Sequence, residues 1–306
     1  MTHRSNENAA VIAVVASAMA WGVLWIPLRA TSEAGVSEVW AIVLFYALSV
    51  CLLAPLYHRR RRQIVKGGWK LQLAGLLSGT SMVLYSGALL FTSVVNAMLL
   101  YYLTPIWSTL LARAFLGEAI TLQRWVTIAL GLGGLLVVLR IESSLPWPDN
   151  LGDWMGVFAG LMWALASVQI NSDERNQVPE FTLVYFIWGT LAALTLTLLP
   201  LSVDQTAPSL DVVIAVLPMA IPVTIILVVP PAVAIFWGAK ILSPGFLGII
   251  FMTEISVGAV TAALWANEPF GTREVLGVVL ITTAGLWEPL YRVLSHRTGI
   301  GILRKE

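Results

Sequence analysis

Long apolar runs divide the chain, each closed by a charge, a proline or glycine, or a polar cluster. The runs lie near 9–29, 38–57, 70–91, 94–115, 122–140, 152–171, 180–200, 211–238, 244–266 and 271–291, and most are apolar all round, with no polar face to turn to water. About 20 apolar residues cross a bilayer as a helix, and only helices and closed barrels satisfy their own backbone in hydrocarbon. The pattern therefore predicts ten transmembrane helices. The connectors are too short for a soluble domain, so residues 1–306 read as a single membrane domain, an all-α polytopic membrane protein. Ala16-Ser17-Ala18 has the small residues of a signal-peptidase site, but the apolar run continues through Trp21, Trp25 and Leu28, and the first span is expected to be retained.

Composition narrows the class. Of 306 residues, 58% are hydrophobic and 11% charged, against about 25% charged in soluble domains, which excludes a soluble enzyme, a nucleic-acid binder and a disordered scaffold. Cys51 stands alone, and His3, His58 and His296 lie in a tail, a basic connector and the other tail, so no metal site is expected. The charge is distributed unevenly. With an even number of spans, 15 of the 18 Lys and Arg fall on the side of the two tails, leaving Arg29, Arg140 and Arg273 opposite. Basic residues stay inside, so both termini are expected in the cytoplasm. Arg59–Arg62 then reads as a positive-inside anchor rather than a nucleic-acid or anionic-lipid site. Trp40, Trp69, Trp125, Trp147, Trp154, Trp265 and Trp287 near span ends read as interface anchors.

The two halves echo one another. The fourth span closes on Leu116-Gly117-Glu118 and the ninth on Ala266-Asn267-Glu268, 150 residues later; Trp21 and Trp163 are 142 apart. Five spans is an odd number, so a second copy enters the membrane inverted, which gives two inverted five-helix repeats (about 9–140 and 152–291) with a site near the bilayer midplane. With its ten spans, this repeat, Pro105 in the fourth span and the closing small-x-Glu motifs, the chain resembles the EamA-type transporters of the drug/metabolite superfamily. Thr253-Glu254 is similar to a Glu-Pro dipeptide that some members carry, with Ile255 in place of the proline, so the reason for a kink there is missing. The resemblance implies a carrier of small metabolites, often amino acids, frequently outward and by proton or counter-substrate exchange.

Glu254 is the principal candidate. It sits near the middle of the ninth span, where a charged carboxylate costs about 2.5–3.5 kcal/mol, so it should face a wet cavity, be paired or be protonated. That suits proton coupling or binding of a substrate amine; a structural carboxylic acid is the alternative. Trp21, Trp25 and Arg29 fall at i, i+4 and i+8, and Trp163, Ser167 and Asn171 repeat the spacing, as for aromatic walls with a polar group at each mouth. Arg29 could attract a carboxylate, or snorkel to the interface. Tyr101, Thr104 and Ser108 form a stripe, with Tyr102 beside it, Asn96 at the span's start, and Ser78, Ser81 and Tyr85 on the third span. Such hydroxyls bind substrate or tie helices together. Substrate contact is expected at Trp21, Trp25, Arg29, Tyr85, Asn96, Tyr101, Thr104, Trp163, Ser167 and Glu254. Gly131, Gly133 and Gly134 suggest close helix contact, with monomer and homodimer both open, and Pro218, Pro222, Pro230 and Pro231 mark a bent or gating eighth span.

These features together describe a secondary transporter of a small metabolite such as an amino acid, an exporter in a bacterial inner membrane, needing no cofactor and no nucleic acid. An uncoupled facilitator or channel is the alternative. The chain has no phosphate-binding GxxxxGK[ST] loop, HExxH, GxSxG or intramembrane histidine to support an ATP-driven pump or a membrane-embedded enzyme.

Overall fold

Apolar runs of this length fold as helices because lipid offers no partner to a backbone N–H or C=O. A computed structural model of the protein describes residues 2–139, 147–199, 205–265 and 270–297, the side chains of 2–5 and 288–297 excepted. Arg140 and the Ala266-Asn267-Glu268 motif lie outside the described residues. Within them every regular element is helical, and the helices fall into ten stretches.

The first stretch is α1 (Thr2–Gly22) and α2 (Trp25–Glu33), followed by α3 (Glu38–Leu52) and α4 (Ala54–Phe91). The fourth is α5 (Val94–Tyr101) with α6 (Thr104–Leu116), and α7 (Leu122–Val138) completes the first half. The second half has α8 (Leu151–Ser172), α9 (Val178–Leu198), then α10 (Leu210–Val223) joined through a π-helical turn at Thr224–Val228 to α11 (Val229–Ile241). The ninth stretch is α12 (Pro244–Phe251) with α13 (Thr253–Trp265), and the tenth is α14 (Thr272–Arg297). Seven stretches are long and apolar enough to cross a membrane, while α3 and α7 are shorter apolar helices.

Five stretches are broken or bent, the fourth and ninth near mid-length and three others as follows. Pro27 has no N–H for the Val23 carbonyl and its ring crowds that oxygen, so α1 and α2 part at Val23–Leu24. There Leu24 and Ile26 donate to the carbonyls three residues back, Trp21 and Val23, at 3.0 and 3.2 Å. The prolines of the eighth stretch likewise withhold donors, and the backbone widens into the π turn just before Pro230. The basic connector is not a loop: α4 runs for 38 residues and takes it in, turning at Gly68, whose φ of 69° and ψ of −164° suit glycine alone.

The helices pack at glycines. A Cβ on Gly79 of α4 would lie 2.5 Å from the Gly189 nitrogen of α9. Gly134 of α7 and Gly277 of α14 are mutual neighbours, each placing its would-be Cβ 2.8 Å from the other's carbonyl oxygen. Gly131 abuts Met252, whereas Gly133 faces open space. Two of the three glycines expected to mark a close contact therefore serve a seam within the chain.

Polar ties close both ends of the bundle. At one end Arg60 pairs with the buried Glu180 at 3.0 Å. Lys240 Nζ donates to the carbonyls of Asp173 and, at 3.0 Å, Asn176. Asn171 donates to the Ala239 and Leu242 carbonyls at 3.0 Å, and Arg124 to Ser243 Oγ at 3.0 Å. At the other end Asp153 accepts from Thr92 at 2.7 Å and from Asn150 at 2.9 Å, and Trp40 Nε1 donates to the Gln205 carbonyl at 2.9 Å. Burial disfavours ionisation of Asp173, but hydrogen bonds from the Asn176 side chain and from the backbone N–H groups of Asn176 and Arg175 outweigh it and hold the carboxyl below the usual range.

Two outcomes follow for the purified protein in detergent. Gly134→Ala should lower stability by about 1–3 kcal/mol through overpacking, while the neighbouring Gly133→Ala should raise it by about 0.5–1 kcal/mol through helix propensity, both read as thermal unfolding midpoints. Because its folded pKa is depressed, Asp173 contributes stability that is fully present above its unfolded value of about 3.9 and lost as pH falls through the folded value. The stability difference between wild type and Asp173→Asn should accordingly hold from neutral pH to about pH 4 and then shrink, as measured by thermal unfolding across a pH series.

Candidate functional site

The fourth and ninth stretches are each interrupted at mid-length. Tyr102 and Leu103 separate α5 from α6, and Met252 separates α12 from α13. Each interruption is followed by a threonine whose hydroxyl bonds the carbonyl three residues back: Thr104 to Tyr101 at 2.5 Å and Thr253 to Ile250 at 2.8 Å. Backbone donors do the same, Ile106 reaching Leu103 at 2.9 Å and Ile255 reaching Met252 at 3.1 Å. The ninth stretch therefore breaks without a proline, contrary to the expectation drawn from Ile255.

The two interruptions face one another. α12 packs on α6, and a Cβ on Gly248 would lie 3.3 Å from the Pro105 Cα. Gly160 of α8 admits the Tyr101 carbonyl, which would be 2.6 Å from its Cβ, and Gly22 of α1 similarly admits the Glu254 carbonyl at 2.7 Å. The first, fourth, sixth and ninth stretches thus meet where their backbones come closest.

Glu254 lies at this meeting point, in the first turn of α13, half-buried. Its Oε2 accepts a hydrogen bond from the Tyr102 hydroxyl at 2.9 Å. Tyr102 meets Tyr101 edge-on at 5.1 Å and 79°, and Tyr101 stacks on Tyr85 at 4.1 Å and 25°. Trp21 stands edge-on to Phe251 at 5.3 Å and 83°. Tyr101, Tyr102, Thr104, Trp163, Gly248 and Phe251 border a gap of about 10 Å³, room for about one water molecule. This is a closed centre: one carboxylate, one hydroxyl donor and a wall of aromatic faces. The carboxylate can exchange a proton or take a cationic or hydrogen-bonding group in place of Tyr102, and the ring faces can stack on a planar group.

Six of the ten sequence-selected residues gather here: Trp21, Tyr85, Tyr101, Thr104, Trp163 and Glu254. The other four lie elsewhere. Trp25 Nε1 donates to Thr261 Oγ1 at 3.1 Å, two turns further along α13. Arg29 is exposed and pairs with Glu33 at 3.3 Å, one turn away on the same helix. Asn96 is in the first turn of α5, its backbone N–H held by Ser93 Oγ at 3.1 Å. Ser167 donates to the carbonyl of Ala164 at 2.8 Å within its own helix. Tyr102, noted only as a neighbour of the polar stripe, supplies the hydrogen bond, and Phe251 supplies a wall. Among the described residues no group of three or more His, Cys, Asp or Glu could hold a metal ion.

A polytopic all-α membrane protein with a closed, carboxylate-bearing centre between broken helices has an architecture that secondary transporters use. Residues 8–140 match the model of the EamA-like transporter family. An uncharacterized transporter of Vibrio cholerae is 26% identical over 151 residues, 47% of this chain and 49% of that one. A riboflavin transporter of Rhizobium johnstonii is 26% identical over 122 residues, covering 39% and 38% of the two chains. A riboflavin transporter of Vibrio cholerae is 24% identical over 165 residues, covering 52% and 53%. The chain spans about half the length, or less, of these curated relatives. One solved crystal structure superposes with a TM-score of 0.72 over 94% of this chain and 99% of its own, at 17% identity, a likeness of fold.

Proposed function

We propose that the protein is a secondary transporter that carries a small amphipathic metabolite across the membrane by alternating access, with Glu254 taking the coupling proton or a donor group of the substrate. The observation that carries this reading is the Tyr102–Glu254 hydrogen bond, made between the interruptions of two facing helices. A carboxylate at that depth that is released and recaptured by one hydroxyl is a two-state element, which coupling requires.

The inverted-repeat reading is supported by which stretches touch. Under such a repeat the second pairs with the seventh, the fourth with the ninth and the fifth with the tenth, as α3 does with α9, α6 with α12 and α7 with α14. The third lies on the sixth (α4 on α8) as the eighth lies on the first (α11 on α1), and the fourth on the sixth (α6 on α8) as the ninth on the first (α13 on α1). The family match at 8–140 coincides with the expected first repeat. The placement of both termini in the cytoplasm rests on the uneven distribution of basic residues, and the export direction in a bacterial inner membrane rests on the resemblance to the EamA-type transporters.

Two relatives named as riboflavin transporters and the aromatic lining favour a planar aromatic substrate over the aliphatic amino acids that the sequence also allowed. The centre as it stands admits about one water, so a substrate enters only after one set of end ties has opened.

Uptake of radiolabelled riboflavin and of aromatic amino acids into proteoliposomes, with and without an imposed pH gradient, tests the proposal. Wild type should accumulate one of them against its gradient. Glu254→Gln should abolish that accumulation while leaving exchange intact. Tyr102→Phe removes a hydrogen bond worth about 1–2 kcal/mol and should slow gradient-driven uptake by about tenfold. Full accumulation by Glu254→Gln would sink its coupling role, and equilibration alone in wild type would make the protein a facilitator.

A further inference from the structure

The basic segment inside α4 is not accounted for by transport. Leu53, Leu56, Arg60, Ile64 and Gly67 recur at helical spacing and are the half-buried or buried positions, Arg60 being held by Glu180. Arg59, Arg61, Arg62 and Lys66 are exposed, and neither the Arg29–Glu33 nor the Arg60–Glu180 pair uses them. Sequence alone gave this run the role of a topological anchor. Its surroundings in the fold add a second feature.

Directly beside it, between α3 and α9, lies an open apolar groove of about 130 Å³ lined by Val50, Leu53, Ala54, Tyr57, Leu183, Phe186 and Ile187. Ala54 and Tyr57 on its wall are followed by Arg61 at i, i+3 and i+7, so Arg61 extends the same helix face one turn beyond the groove, with His58 alongside. The groove is on the outer surface of a membrane-spanning bundle, where lipid chains lie, and its upper rim carries unpaired cations.

We propose that this is a binding site for one anionic phospholipid, whose acyl chain fills the groove and whose phosphate headgroup meets Arg61 and its neighbours Arg59 and Arg62. Charge complementarity selects the headgroup, and the apolar lining accepts the chain but no hydrated ion. Tyr57, 44% exposed between groove and cations, sits at the depth where an amphipathic ring bridges chain and headgroup. The site is separate from the Glu254 centre and does not depend on how transport is coupled.

The test is the thermal unfolding midpoint of the full chain in detergent as phosphatidylglycerol or phosphatidylcholine is added. Phosphatidylglycerol should raise the midpoint by several degrees more than phosphatidylcholine, because a ligand that binds only the folded state stabilises it. Arg61→Gln and Ala54→Trp, the second filling the groove from an exposed position, should each remove at least half of that extra rise, whereas Arg113→Gln should retain it. Should Ala54→Trp fold poorly, Ile187→Trp fills the groove from the other wall. Native mass spectrometry of wild type from a mixed-lipid preparation should retain phosphatidylglycerol preferentially. Equal stabilisation by both lipids, or an undiminished response in Arg61→Gln and the groove-filled variant, would overturn the site. Reproduction of the effect by soluble glycerol phosphate would overturn the groove's part in it.

Discussion

In hydrocarbon a backbone N–H or C=O without a partner costs several kcal/mol, so a helix can be interrupted at mid-membrane only where neighbouring groups satisfy what the break releases. The fourth and ninth stretches meet that condition together. Thr104 and Thr253 return their hydroxyls to carbonyls one short turn back, and the backbone tightens to a three-residue bond just past each break, Ile106 to Leu103 and Ile255 to Met252. Glycines at positions 22, 160 and 248 let whole helices close over the interruptions. The site is a product of this arrangement, because the residues that end one half-helix and begin the next are Tyr101, Tyr102 and Glu254.

The same closeness makes the polar ends consequential. With the centre admitting about one water, the helices must part before anything larger reaches it, and the ties at one rim are the natural ones to yield. One end is held by charged groups, Arg60–Glu180 and Lys240 on two carbonyls, and the other by Asp153 with neutral partners. Ties of this kind are individually modest in water, so they can be broken and remade without unfolding the packed helices between them.

The ten helical stretches, the mid-span carboxylate and the tryptophans at 21 and 163 were legible because each is a local property: a run of apolar residues, a charge in its middle, a wide ring beside small residues. What a linear pattern could not show was where helical phase is lost. Trp21, Trp25 and Arg29 share a stripe only on an unbroken helix, and the separation of α1 from α2 at Val23–Leu24 takes Trp25 to Thr261 and Arg29 to the surface. Ser167 looked available and instead satisfies its own helix, as serine commonly does. The spacing of 150 residues between Glu118 and Glu268 also separates Tyr102 from Met252 and Thr104 from Glu254, so the same offset, carried to mid-span, would have placed both interruptions.

The π turn at Thr224–Val228 has a bearing on the history of the eighth stretch. Such a turn accommodates one residue more than the α-helical turn it replaces, which is how a one-residue insertion is absorbed without displacing the segment beyond it. Phe236 and Lys240 on α11 keep their contacts with α8 and the 173–176 connector although the chain ahead of them carries that surplus. Loss of a single residue between 224 and 228 could therefore be taken up by closing the bulge, whereas the same deletion within α11 would rotate every later side chain by about a quarter turn.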